Sequence, residues 1–107
     1  MFKIDSDRLY ITRGDTGRLT VSIRDQNGNK YTPSSDEIIV MTVKKSVGDE
    51  SSLFSAQAKD CEIVITPEYT KSLAFGEYVY DVQITLSNGD INTIIPSNKF
   101  IVYGEVT

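Results

Sequence analysis

The sequence predicts an all-β protein, an antiparallel β-sandwich of about seven to eight short strands. Three observations carry this prediction. Apolar and polar residues alternate with a period of two along most of the chain. Turn-forming residues separate the alternating runs. Only one short segment carries helix signals. A closed β-barrel fits the same pattern and remains the structural alternative.

The run Arg18–Arg24 shows the alternation plainly. Leu19, Val21 and Ile23 fall on one face of an extended chain, and polar residues occupy the other. This pattern is typical of a strand with one buried and one solvated face.

The strongest run is Glu77–Leu86, in which Tyr78, Tyr80 and the next apolar residues share a face opposite Asp81. The run Ile38–Lys45 begins apolar on both faces, which predicts a central strand. Further strands are predicted at Leu9–Thr12, Leu53–Gln57, Glu62–Thr66, Ile91–Ile95 and Lys99–Tyr103.

Turn-forming residues separate these strands. Asn27-Gly28 and Asn88-Gly89 predict type I′ hairpin turns, which need positive φ at both central residues. Pro33 and the segment Gly48–Ser52 predict longer connections. Pro96 is expected to end the strand before it.

One helix is predicted, over Thr66–Leu73. Thr66 suits the N-cap position, Pro67 the first helical position and Glu68 the first turn, and Gly76 follows the segment. One or two turns of helix here would carry the chain from one sheet to the other.

Tyr78 gives the sandwich a more specific character. It lies just inside a strand, directly after the crossover and Gly76, which resembles the tyrosine corner of immunoglobulin-like domains. Tyr80 falls where such a domain places its second cysteine, so an aromatic core is expected to replace the disulfide. The prediction is thus an immunoglobulin-like β-sandwich without the Cys–Trp–Cys signature.

Composition limits the possible functions. The 107 residues suit a single domain, 1–107. There is no histidine and one cysteine, Cys61, expected to be a half-buried thiol. The net charge is −4 and the pI about 4.7, which disfavours nucleic-acid binding. Met1–Asp7 is too polar for a signal peptide, and no apolar run is long enough to span a membrane.

Two short motifs resemble known binding sites, but a structural role is favoured for each. Arg13-Gly14-Asp15 spells an integrin-binding tripeptide, but a tight turn between strands is favoured. Asp25–Asp36 resembles a calcium loop, but Lys30 stands where the loop needs glycine, so a hairpin turn is favoured. No metal site is predicted.

Catalytic signals are weak. Asp81 could serve as a general base, but a solvent-facing position opposite Lys44 or Arg24 is favoured. No paired carboxylates and no activated serine are evident, so no catalytic residue, no cofactor and no enzymatic activity are predicted. Exposed tyrosines offer an alternative function as a carbohydrate- or surface-binding platform, formed by Tyr10, Tyr31, Tyr69 and Tyr103.

The order of motifs along the chain resembles a small β-sandwich family of bacteriophages and prophages of Gram-positive hosts, similar to the N-terminal domain of phage baseplate upper proteins. The motifs are Ile11–Thr16, Asp25–Gly28, Thr42–Lys45, Thr66–Glu68, Gly76–Val82, Asn88–Asp90, Lys99–Val102 and Val106-Thr107.

The resemblance implies a non-enzymatic structural protein of the virion, made in the bacterial cytoplasm. Its role would be that of a tail or baseplate attachment module, or a module that decorates the particle. The implied partners are other virion proteins, with a possible homo-oligomer, and neither nucleic acid nor a membrane. Baseplate upper proteins continue into coiled-coil and receptor-binding parts, whereas this chain has no heptads.

Overall fold

A computed structural model describes residues 1–104, so the predicted Val106-Thr107 motif lies outside the described residues. The described chain contains eight strands and one helix. The elements are β1 (Phe2–Asp5), β2 (Arg8–Thr12), β3 (Gly17–Thr20), β4 (Ile38–Lys44), β5 (Phe54–Gln57), β6 (Glu62–Ile65), α1 (Pro67–Thr70), β7 (Gly76–Thr85) and β8 (Ile91–Tyr103). The all-β prediction is confirmed.

The strands form a six-stranded sheet in the order β1-β2-β8-β7-β4-β5 and a two-stranded sheet of β3 and β6. The expectation of purely antiparallel sheets is wrong, because β2 runs parallel to β8 with Leu9 beside Phe100. These strands lie near opposite ends of the chain, so no hairpin forces them to be antiparallel. The remaining pairs are antiparallel.

Two strand assignments need correction. Met1–Asp7, where no strand is predicted, contains β1, which pairs with β2 through the Ser6-Asp7 turn, in which both residues have positive φ. The predicted strand Arg18–Arg24 is regular only to Thr20, which pairs with Glu62 at the start of β6; the Val21 N–H still bonds to the Cys61 carbonyl in the turn before β6. Its alternation nevertheless holds, since Leu19 and Val21 are buried.

Pro96 does not end a strand; β8 runs through it as one element. Pairing of β7 with β8 shifts register twice, between Tyr80 and Val82 and between Val82 and Gln83. Pro96 falls opposite the first shift, between the partners Ile95 and Asn98. A bulge leaves residues outside the ladder, so proline costs no hydrogen bond there.

The two Asn-Gly turns are hairpin turns but not of type I′. Gly28 and Gly89 have positive φ, whereas Asn27 and Asn88 do not. The Gly28 N–H bonds to the Asp25 carbonyl, and the Asp25 N–H bonds to the Asn29 carbonyl. This pattern is a type I turn followed by a left-handed glycine, which suits a three-residue loop.

One core joins the two sheets. Apolar residues of β3 and β6 are buried with those of the large sheet, including the predicted inward face of β7. β4 has a strand on each side, which confirms that it is not an edge strand. The α1 turn carries the chain from β6 to β7, as predicted, although Thr66 makes no side-chain cap. The most deeply buried large side chains are Tyr80, Phe100, Leu9, Ile11, Met41 and Ile63.

Candidate functional site

A cleft of about 660 Å³ opens at one end of the molecule between the segment that follows β3 and the adjoining ends of β7 and β8. Ile23, Ile84, Leu86 and Ile94 give it an apolar lining. Among its lining residues within 1–104 the one acid is Asp25, whose carboxylate accepts hydrogen bonds from the backbone N–H of Asn27 and the backbone N–H of Asn29. The described lining of the cleft therefore shows no pair of carboxylates of the kind used in glycoside hydrolysis.

Several sheet edges have no neighbouring strand in the described chain, including the outer side of β5 and one side each of β3 and β6. Two more lie toward the β1 end of the large sheet. β1 is the last strand on one side of the large sheet. On the side of β8 that faces away from β7, β2 pairs only with Phe100–Tyr103, so no described strand covers Ile91–Ser97 there. Both stretches expose backbone hydrogen-bonding groups, which another strand can pair with.

The Arg13-Gly14-Asp15 motif forms the tight turn between β2 and β3. The Asp15 N–H bonds to the Thr12 carbonyl at 3.0 Å, and Gly14 has a φ of +84°. The turn packs against the α1 crossover, because the Gly14 N–H bonds to the buried Thr70 hydroxyl at 3.0 Å.

Both charged side chains of the turn are engaged. The Arg13 guanidinium lies 4.3 Å from the centre of the Phe75 ring and donates to the Leu73 carbonyl at 3.2 Å. The Asp15 carboxylate pairs with the Met1 amino group. These contacts favour the turn interpretation over a free recognition loop.

In the segment that resembles a calcium loop, Asp25–Asp36, the carboxylates of Asp25 and Asp36 bind different partners. The Asp25 carboxylate serves its own hairpin, while Asp36 accepts hydrogen bonds from the Ser34 and Ser87 hydroxyls at 2.6 and 3.1 Å. Among residues 1–104 no three acidic or cysteine side chains are grouped to hold a metal ion.

Asp81 lies on the outer face of the large sheet, in a shallow depression of about 280 Å³ that Lys44 also lines. Its cross-strand partner is Thr42. The expected pairing with Lys44 or Arg24 is wrong: the Lys44 ammonium donates to the Asp49 carbonyl at 2.8 Å, and Arg24 lies at the cleft. Within the described chain Asp81 forms no ion pair.

The four candidate tyrosines do not form one platform. Tyr10 and Tyr103 stack on the outer face with ring centres 6.2 Å apart. Tyr69 stacks on Phe54 at 4.7 Å and packs against the core. Tyr31 lines the cleft and donates its hydroxyl to Glu37.

A cluster of acids and hydroxyls that sequence reasoning missed ties the 34–37 loop to the β7–β8 hairpin. The Tyr31 hydrogen bond lowers the pKa of Glu37, whose other oxygen accepts from the Ser87 N–H at 3.1 Å. Hydrogen bonds from Ser34 and Ser87 lower the pKa of Asp36. Ser87 lies 50 residues from Glu37 along the chain, so no local pattern could have brought it together with the 34–37 loop.

Cys61 is half-buried, as expected, but it occupies the tight turn between Lys59 and Glu62 rather than a strand. The described chain contains no helix with the length and apolar character of a bilayer-spanning segment.

Two comparisons with known proteins found no match. No protein-family model matches the chain, and no curated protein matches its sequence.

Proposed function

We propose that the chain is a non-enzymatic structural protein of a phage or prophage particle, a tail or baseplate attachment or decoration module that works through protein–protein contacts. The observation that carries this proposal is that sheet edges are open in the described chain, among them β1 and Ile91–Ser97 of β8. Strand addition at such edges supplies affinity through backbone hydrogen bonds alone. The motif order described above supports the phage assignment.

We further propose that the fold is an immunoglobulin-like sandwich. In such a domain strands C, F and G neighbour one another in one sheet, and B neighbours E in the other. Here β4, β7 and β8 are neighbours in that order, and β3 pairs with β6. Assigning β3, β4, β6, β7 and β8 to B, C, E, F and G matches these neighbours and leaves β1, β2 and β5 unassigned.

The tyrosine corner supports the same assignment. The Tyr78 hydroxyl donates to the Ala74 carbonyl at 2.7 Å, across the bend that leads into β7. Tyr80, two residues later, is 2% exposed at the position of the missing second cysteine.

Replacing Tyr78 by phenylalanine is expected to lower the free energy of unfolding by about 1 kcal/mol, because the corner loses its one side-chain hydrogen bond. Chemical denaturation measures this loss. The matched control is Tyr103→Phe, which removes a hydroxyl from an exposed ring and should change little. Equal effects of the two substitutions would contradict a special role for the corner.

A carbohydrate-binding module is the second candidate, now reduced to Tyr10 and Tyr103. Their parallel rings offer an aromatic surface on the outer face, and Tyr103 is 46% exposed. Binding on a glycan array that disappears on Tyr103→Ala would favour this function. An array without binders would remove it.

Mass spectrometry of purified particles after prophage induction tests the main proposal. The expected result is the chain in the particle fraction at a fixed ratio to known tail proteins, retained through a density gradient. Its absence from particles, with abundant protein left in the soluble lysate, would contradict the proposal.

A further inference from the structure

The geometry points to self-association: β1 of one copy pairs antiparallel with β1 of a second copy, centred on Ile4, so that the large sheet continues across a two-fold axis. This inference goes beyond the proposed particle role and does not depend on it. It rests on the hydrogen-bonding direction of β1, on its charge pattern and on its exposed apolar face.

The open backbone groups of β1 can be identified. The Thr12 N–H bonds to the Met1 carbonyl at 2.9 Å. In an antiparallel pair hydrogen-bonded residues alternate, so Lys3 and Asp5 also bond to β2, opposite Tyr10 and Arg8. The N–H and C=O groups of Phe2 and Ile4 therefore point away from β2. No turn or loop hydrogen bond in the described chain reaches them.

Charge selects the register of the second copy. When Ile4 pairs with Ile4 of the other copy, Lys3 of each chain stands opposite Asp5 of the other, which creates two opposite-charge pairs in the closely spaced positions. A register that pairs Phe2 with Ile4 instead places the two Lys3 side chains opposite each other, and one that pairs Phe2 with Phe2 places Lys3 opposite Met1 and forms no opposite-charge side-chain pair. Like charges directly opposite are destabilising, so the Ile4-centred register is favoured.

The inner side of the edge adds apolar surface. Phe2 and Ile4 stand opposite Ile11 and Leu9, which are buried, so their side chains face the core side of the sheet. Ile4 is still 45% exposed because no neighbour covers it. In the Ile4-centred pair the two Ile4 side chains lie side by side and cover each other. A lysine on an edge strand commonly guards against such pairing, but here the alternation of Lys3 with Asp5 makes the edge complementary to itself.

Sedimentation equilibrium of the purified chain, up to about 1 mM, tests this inference. We expect a monomer–dimer equilibrium that added salt weakens. Lys3→Glu converts both attractive pairs into repulsive ones and should weaken dimerisation about tenfold. Lys45→Glu, the same charge change on an exposed residue outside β1, should leave it unchanged.

Mixing variants tests the register. Lys3→Glu protein mixed with Asp5→Lys protein restores both opposite-charge pairs, so the mixture should form a heterodimer about tenfold tighter than either variant forms with itself. If Lys3 instead faces Lys3, Lys3→Glu protein would pair best with the unmodified chain, and that result would overturn the register proposed here.

Ile4→Pro tests the edge without unfolding it. The Ile4 N–H is not used by β2, so proline blocks the edge and leaves the β1–β2 ladder intact. We expect loss of the dimer with an unchanged circular dichroism spectrum. A chain that stays monomeric at every concentration would overturn the inference, as would a dimer that neither Ile4→Pro nor Lys3→Glu weakens.

Discussion

Replacing Phe100 by alanine is expected to lower the free energy of unfolding by about 3–5 kcal/mol, the largest effect of any single change considered for this protein. Phe100 is fully buried in β8, between Leu9 of β2 and Tyr78 of β7, and its ring meets Phe54 edge-on at 5.8 Å. Alanine removes most of the side chain and leaves a cavity where three strands meet. Urea denaturation measures the loss.

Two further variants make the measurement decisive. Phe100→Leu keeps most of the volume and should cost about 1.5 kcal/mol or less. Lys99→Ala changes the neighbouring residue on the outer face, where an exposed ion pair with Glu77 at 3.3 Å contributes little, and should cost about 0.5 kcal/mol or less. If Phe100→Ala were as mild as Lys99→Ala, the parallel packing of β2 on β8 described here would be wrong.

Above pH 10 the protein is expected to lose about 2–3 kcal/mol of stability because of one residue, Tyr80. Its hydroxyl is buried and donates to the Asp7 carbonyl in the β1–β2 turn. Burial, with a smaller contribution from the Asp7 charge, raises its pKa from 10.0 to about 12. The unfolded chain therefore releases this proton at lower pH than the folded chain, so stability falls as pH rises from 10 to 12.

Comparison of Tyr80→Phe with the unmodified chain isolates this effect. The variant is less stable at neutral pH by about 1 kcal/mol, because the Asp7 carbonyl loses its donor. It should lose less stability than the unmodified chain between pH 10 and 12, whereas Tyr103→Phe should keep the full alkaline loss. Parallel pH profiles for the unmodified chain and Tyr80→Phe would contradict the burial of this hydroxyl.

Local chemistry accounts for much of the fold. Alternation marked the buried faces of β3 and β7 correctly, since a strand with one solvated side must place its apolar residues at every second position. The Thr66-Pro67 start and Gly76 marked the crossover. The edge strand β1 was not predicted. Its inward residues Phe2 and Ile4 give only two steps of apolar alternation, in a segment that is otherwise polar.

Other features depend on contacts that no short window contains. The parallel pairing of β2 with β8 joins residues about ninety positions apart along the chain. The Pro96 bulge is permitted only by the register of β7 against β8. The type of the Asn27-Gly28 turn depends on loop length, which the dipeptide alone does not fix.

Little of the candidate site could be predicted from the sequence beyond the residues that form turns. Asp25 was expected to serve a hairpin turn, and its carboxylate does accept from that turn's backbone. Asp15 was expected to bond the local backbone but pairs with the Met1 amino group, and no contact of the Arg13 side chain was predicted. The open edges could not be predicted, because an edge is defined by strand order and not by the residues of one strand.

Amide hydrogen exchange of the chain inside purified particles, compared with the dilute free protein, tests most directly whether neighbours hold it by its open edges. The account predicts that outward amides of β1 or of Ile91–Ser97 exchange at least about tenfold more slowly in the particle, while paired amides of β4 and β7 keep their rates. Identical exchange at both edges in the two states would contradict it.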